Sequence, residues 1–226
     1  MSEKLDLSKI KQVPLQDGQY IKTESAKTQI VLHHTAGNSS GVNVAKAWNS
    51  DDRGRIATCV VISGKGASNS FDGEIVQCFS SKFWAYHLGV KADVFAAYGV
   101  PYKNLDQLAI GIEICNWGQL TLKNGKYYNY VNKEVPASEV TTLDTPYKNY
   151  KYFHKYTDAQ IESVRQLLDY WRDSYNIDLS FDYSQLFEVN KKALSGTNGL
   201  YTHNSYRRDK VDAYPCPRLI AMLQAL

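Results

Sequence analysis

Four short apolar runs, each closing on polar or turn-forming residues, set the rhythm of this chain. The first, Ile30-Val31-Leu32, ends abruptly in His33-His34 and a small, turn-prone tail, Thr35-Ala36-Gly37. Residues 28–34 read as a buried strand, 56–63 as a second and 73–79 as a third, with a turn-rich loop at 64–69. Residues 108–114 are almost continuously apolar, which predicts a central strand covered on both faces. Helices show a different period. Ser39-Ser40 offers an N-cap for a short helix with Val44, Ala47 and Trp48 on one face. Thr157-Asp158-Ala159-Gln160 is a capping box, and it opens the strongest helix, striped by Ile161, Val164, Leu167, Leu168 and Trp171. Pro217 is placed to start a last helix over 218–226. Residues 1–28 are polar and irregular, and 176–202 read as loop and short helix. Between the strands and the long helix lies a polar, tyrosine-rich excursion, 118–156, with a hairpin expected at Asn124-Gly125. The fold expected is α/β: a single domain over 1–226, with a central mixed β-sheet flanked by α-helices. Within it, 118–197 is an unassigned excursion carrying one long helix.

Composition narrows the classes. A chain of 226 residues supplies one sizeable core. With 43% apolar and 22% charged residues it should be globular. The net charge of +3 suits an anionic polymer as partner, but no run of Lys and Arg is dense enough to argue nucleic acid. Seventeen tyrosines and four tryptophans would suit a groove that stacks on sugars, though ordinary packing explains most aromatics. No apolar stretch of signal-peptide or membrane-spanning length follows Met-Ser-Glu-Lys-Leu-Asp-Leu, so synthesis in a cytoplasm and no membrane insertion are expected. The four cysteines, Cys59, Cys78, Cys115 and Cys216, form no CxxC pair. The first three sit in apolar runs and read as core; Cys216 lies in a loop between two prolines.

The candidate chemistry rests on histidine. His33, His34, His87, His154 and His203 are the whole stock. A strand that delivers imidazole at its end makes a rigid metal ligand, and a hydrolytic zinc site needs three protein donors and one open position. His203 is followed at loop spacing by Lys210, Asp212 and Cys216, so an acid or a thiol could complete such a set. Taken alone this signal is weak, because loops with His and Asp are common.

Taken together, these stretches resemble the type 2 N-acetylmuramoyl-L-alanine amidases, zinc hydrolases of peptidoglycan. That family includes phage lysozyme-type amidases, bacterial cytosolic muropeptide amidases and the peptidoglycan recognition proteins. Val31 to Gly37 resembles the family's first ligand strand. Asp72-Gly73-Glu74-Ile75-Val76-Gln77 resembles its DGxIxQ strand. Trp84 to Gly89 resembles its WHxG turn with an insertion, and Ile110-Gly111-Ile112-Glu113 its IGIE strand. His203 and residues 210–217 resemble the C-terminal ligand loop. The likeness covers about 28–117 and 198–226. It implies a Zn2+ ion at one face of the sheet, held by His33, His203 and a third ligand. That ligand is Asp212 as in the cytosolic branch, or Cys216 as in the phage and recognition-protein branches; Asp212 is favoured because it keeps Lys210 in register two residues before it. The resemblance further implies Glu113 as general base and Lys210 as oxyanion stabiliser. His87 and His34 are the substrate-groove candidates; His87 could equally support a ligand from behind, and His34 is expected to turn to the other side of the strand from His33.

Two departures stand out. Thr58 occupies a position where many relatives carry histidine, and Ala57 one where some phage members place a catalytic tyrosine, which shifts the burden of proton transfer to Glu113. The function implied is hydrolysis of the amide between N-acetylmuramic acid and L-alanine, with peptidoglycan or a muropeptide as partner, in the setting of an endolysin. The alternative is a non-catalytic muropeptide-binding module of the same fold. A cysteine hydrolase built on Cys115 or Cys216 lacks a nucleophile signature.

Overall fold

A computed structural model describes residues 4–37 and 39–226, so the Met1-Ser2-Glu3 start of the polar N-terminal segment lies outside the described residues. The strands in chain order are β1 (Lys11–Gln12), β2 (Gln29–His34), β3 (Val60–Ile62), β4 (Ile75–Gln77), β5 (Ala109–Ile114), β6 (Gln119–Lys123), β7 (Lys126–Tyr128), β8 (Glu134–Val135), β9 (Val140–Tyr147), β10 (Tyr150–His154) and β11 (Gly199–Thr202). The helices are α1 (Gly41–Asn49), α2 (Ala92–Ala97), α3 (Leu105–Leu108), α4 (Asp158–Tyr175), α5 (Tyr183–Phe187), α6 (Lys191–Leu194) and α7 (Pro217–Gln224).

The central sheet is mixed and runs β1-β4-β3-β5-β2-β11. β2 pairs in parallel with β5 and with β11, and β3 pairs in parallel with β5; β4 is antiparallel to β3. Every residue of β2 is buried. That matches a run rich in β-branched residues held between two covered faces. Side chains alternate across it. Ile30, Leu32 and His34 face one layer, and Val31 and His33 the other. The register sets His33 beside Glu113 and Leu32 beside Thr202. His33, Glu113 and His203, the residue after β11, therefore emerge at the same carboxyl end of the sheet, where open α/β sheets bind ligands.

The long helix begins as its sequence requires. Thr157 accepts from the Gln160 amide at 3.1 Å, and the Gln160 side chain accepts from the Thr157 amide at 3.2 Å. Val164, Leu167, Leu168 and Trp171 are buried, with Ile161 at the margin. Pro217 stands at the first turn of α7.

Three expectations are corrected. The buried stripe of α1 is Gly41, Val42 and Ala45; Val44 and Trp48 are partly buried and Ala47 is exposed. The cause is contact at Gly41, where a Cβ would lie 2.8 Å from Val76 Cγ2, so the helix approaches the sheet along its glycine edge. β11, within the stretch 176–202 read as loop and short helix, is a fully buried strand of the central sheet. The 118–156 excursion is more than one hairpin. It forms a second, antiparallel sheet in the order β8-β7-β6-β10-β9. Its β6–β7 turn is Asn124-Gly125, both at positive φ, as a two-residue hairpin loop demands. The remaining strands are half exposed, and their mixture of Tyr, Lys and Thr hides the alternation. This sheet is fastened to the body by Tyr214, whose ring stacks on Phe153 at 4.3 Å and on Tyr156 at 4.9 Å.

Replacing Thr157 by alanine removes the helix cap and the bond from its hydroxyl to Asp72 at 2.8 Å. The expected cost is about 1 kcal/mol, read as a lower urea midpoint with an unchanged slope. An unchanged midpoint would show that α4 is held by its packing alone.

Candidate metal centre

His33, His203 and Asp212 converge beyond the carboxyl end of the sheet. One donor atom from each lies within 4.8 Å of the others. His33 Nδ1 is 3.1 Å from His203 Nδ1 and 3.2 Å from Asp212 Oδ2, and His203 Nδ1 is 2.9 Å from the same oxygen. The two imidazoles are buried, and Asp212 is nearly so. Three donors of N, N and O type, aimed at one point on the wall of a cleft, are what a metal ion with an open position needs. The cleft, about 500 Å³, is also lined by Glu113, Lys210 and His87.

The remaining nitrogen of each ring is held from behind. His203 Nε2 donates to the Leu88 carbonyl at 3.0 Å, which leaves Nδ1 free for a ligand role. His33 Nε2 lies 2.9 Å from His87 Nδ1. Such outer contacts fix the ring orientation of metal-binding histidines. Asp212 is set by its neighbour in space, Asn204, whose amide donates to the carbonyls of Asp212 and Ala213 at 3.0 and 2.8 Å. Asn204 itself sits in the tight turn His203–Ser205, capped by Thr202. One buried amide thus ties the His203 turn to the Asp212 loop.

Burial, reinforced by the charge of His203, pushes the His33 imidazole down to about 4, so it is neutral at pH 7, the form that binds metal. Burial works against the Asp212 carboxylate, but His203 and His33 outweigh it and hold it well below the usual range. Glu113 is the opposite case. Burial and then the neighbouring Asp212 raise it well above an ordinary carboxylic acid, with Lys210 pulling it partly back. The Lys210 loop is braced from the second sheet: the Lys148 ammonium donates to Asn204 Oδ1 at 2.9 Å, to the Arg208 carbonyl at 3.2 Å and to the Lys210 carbonyl.

A comparison with known proteins now decides the family. The family model of N-acetylmuramoyl-L-alanine amidase matches residues 24–217. The chain belongs to this amidase family. No curated protein sequence matches it. Among solved structures it is similar to PlyL, at 13% identity and a TM-score of 0.52, over 95% of this chain and 94% of that one. It is also similar to the N-acetylmuramoyl-L-alanine amidase LysC from Clostridium intestinale URNW, at 15% identity and a TM-score of 0.52, over 96% and 97%. A derivative of AmpD matches at 16% identity and a TM-score of 0.52, over 100% and 98%. At these identities the likeness establishes the shared fold.

Within this amidase, the sequence-derived candidates do not all meet. Cys216 is buried at the N-cap of α7, beside Tyr156 and Tyr214, and is outside the donor cluster. His34 borders the cleft, but its ring is turned to the opposite layer, where Nδ1 is 3.0 Å from the Tyr156 hydroxyl. Gly118 makes room for that ring, since a Cβ there would lie 2.7 Å from His34 Nε2. Ala57 and Thr58 line the cleft, and the Thr58 hydroxyl is spent on the Val60 carbonyl at 2.9 Å. His154 stands apart, accepting from the Trp117 amide. Asn204 and Lys148 were missed. Asn204 had a usable signal, the capping spacing of Thr202 and Ser205 around His203. Lys148 acts across 56 residues or more, and no local pattern announces such a contact.

Substituting alanine for His33, His203 or Asp212 should each abolish tight zinc binding in metal analysis of the reloaded protein, whereas Cys216→Ala should keep one zinc per chain. Zinc lost from the cysteine variant and kept by the aspartate variant would reverse the assignment of the third ligand.

Proposed function

We propose that the chain is a zinc-dependent hydrolase of the amide bond between N-acetylmuramic acid and L-alanine in peptidoglycan. The observation that carries this reading is the placement of Glu113 directly beside His33 in the β2–β5 register, at the wall of the cleft into which the three donors converge. Neighbouring strands lie about 4.8 Å apart, so a carboxylate stands within reach of anything held at the metal site. His33, His203 and Asp212 would hold the ion. When bound, zinc polarises the scissile carbonyl and makes water a nucleophile at neutral pH.

The protein's own groups supply the rest. Glu113 takes a proton from the attacking water and passes it to the departing alanine nitrogen as the C–N bond breaks. Lys210 supplies positive charge to the developing oxyanion. His87 holds His33 from the side, and His34 only borders the cleft, its ring turned away onto Tyr156. With Ala57 and Thr58 offering no titratable group there, proton transfer rests on Glu113. The cell wall is then the place of action, as for an endolysin. Among the described residues no helix is long and apolar enough to cross a membrane.

Glu113→Gln should fold, keep its zinc and lose turnover on purified wall by about 10²–10⁴-fold, the usual contribution of a positioned acid or base. Near-normal turnover would remove Glu113 from the reaction. A zinc-loaded wild-type protein that binds wall without cutting it would instead be a recognition module of the same fold.

A further inference from the structure

Asp106 takes no part in the chemistry above, yet it reaches the back of both histidine ligands. It lies in α3, just before β5, and its side chain is 11% exposed. One oxygen, Oδ1, accepts the backbone N–H of His87 at 2.8 Å and of Leu88 at 3.0 Å. These two consecutive residues are the ones that grip the ligand rings: His87 through Nδ1 to His33 Nε2, and Leu88 through its carbonyl to His203 Nε2. We infer that Asp106 is the positioning residue of the metal centre, a single carboxylate that fixes residues 87 and 88 and thereby presents Nδ1 of both histidines to the ion.

Hydrogen-bond logic makes the arrangement specific. A carbonyl only accepts, so His203 carries its proton on Nε2. For His33 to offer Nδ1, its proton must also sit on Nε2 and be donated to His87 Nδ1. His87 then holds its own proton on Nε2. That nitrogen is buried with no hydrogen-bond partner, and it faces Asp106 Oδ1 at 3.9 Å. The distance is too long for a hydrogen bond, but the charge has the sign that favours an N–H there. Gly111 leaves the space this needs, because a Cβ at that position would lie 2.6 Å from Thr58 Cγ2 and 3.2 Å from His87 Nδ1. Without the carboxylate, two buried amides lose their acceptor and the 87–88 segment loses its anchor.

The inference rests on the zinc reading, and zinc affinity tests it without recourse to turnover. Apo protein is titrated with zinc against a chromophoric chelator. Asp106→Ala should bind zinc about 10–100-fold more weakly than wild type, the usual loss when an outer contact of a metal ligand is removed. Asp106→Asn, which keeps an oxygen for both amides, should recover most of the affinity. Wild-type affinity in a folded alanine variant would overturn the inference and leave the amidase proposal intact; a wild-type protein that binds no zinc would overturn both. If the alanine variant does not fold, ring-nitrogen NMR of the zinc-loaded wild type decides. His33, His87 and His203 should all be protonated at Nε2, and a proton on Nδ1 of His87 would contradict the chain of contacts.

Discussion

The parallel pairing of β2 with β5 on one side and β11 on the other is the constraint on which the site depends. It brings three segments, separated by some 80 and 170 positions in the chain, to one end of one sheet in fixed register. Because both faces are buried, the register has little freedom. A slip of one residue would turn His33 into the layer that receives Ile30, Leu32 and His34, and would bring His34 to the cleft in its place. The rigidity needed for catalysis is thus supplied by the same apolar side chains that make the core.

Around that frame the polar groups are assembled as a nearly closed set. Asn204 joins the His203 turn to the Asp212 loop, Asp106 fixes the residues behind both imidazoles, and Lys148 reaches in from the second sheet to hold the backbone of Lys210. Buried polar groups left half satisfied are costly, so this network favours one geometry over others. It also gives the 118–156 region a physical place in the molecule. Through Tyr214 its sheet packs against the C-terminal segment, and through Lys148 it braces the loop that carries a cleft residue.

Much of this was legible in the sequence, for identifiable reasons. The strand-end histidines, the IGIE strand, the capping box and the proline-started last helix are local patterns, and local patterns survive in a linear string. The resemblance named His33 and His203, and the structure brings Asp212 within reach of both and leaves Cys216 at the N-cap of α7. What was not legible depends on long-range fit. The buried face of α1 turned on the contact of Gly41 with Val76, β11 on an edge supplied by β2, and the second sheet on pairings among half-exposed polar strands. Asp106 gave no hint either, because its two acceptor contacts cross 18 and 19 residues.

The bond that is cut defines the activity. A cluster of three donors that could hold a metal ion, with the Glu113 carboxylate beside it, suits attack of water on an amide carbonyl. The direct measurement is product analysis of purified peptidoglycan digested with the zinc-loaded protein, scoring new amino termini and new reducing sugars in the same sample. An amidase yields new α-amino groups on L-alanine and no new reducing ends. Reducing ends without alanine amino termini would contradict it.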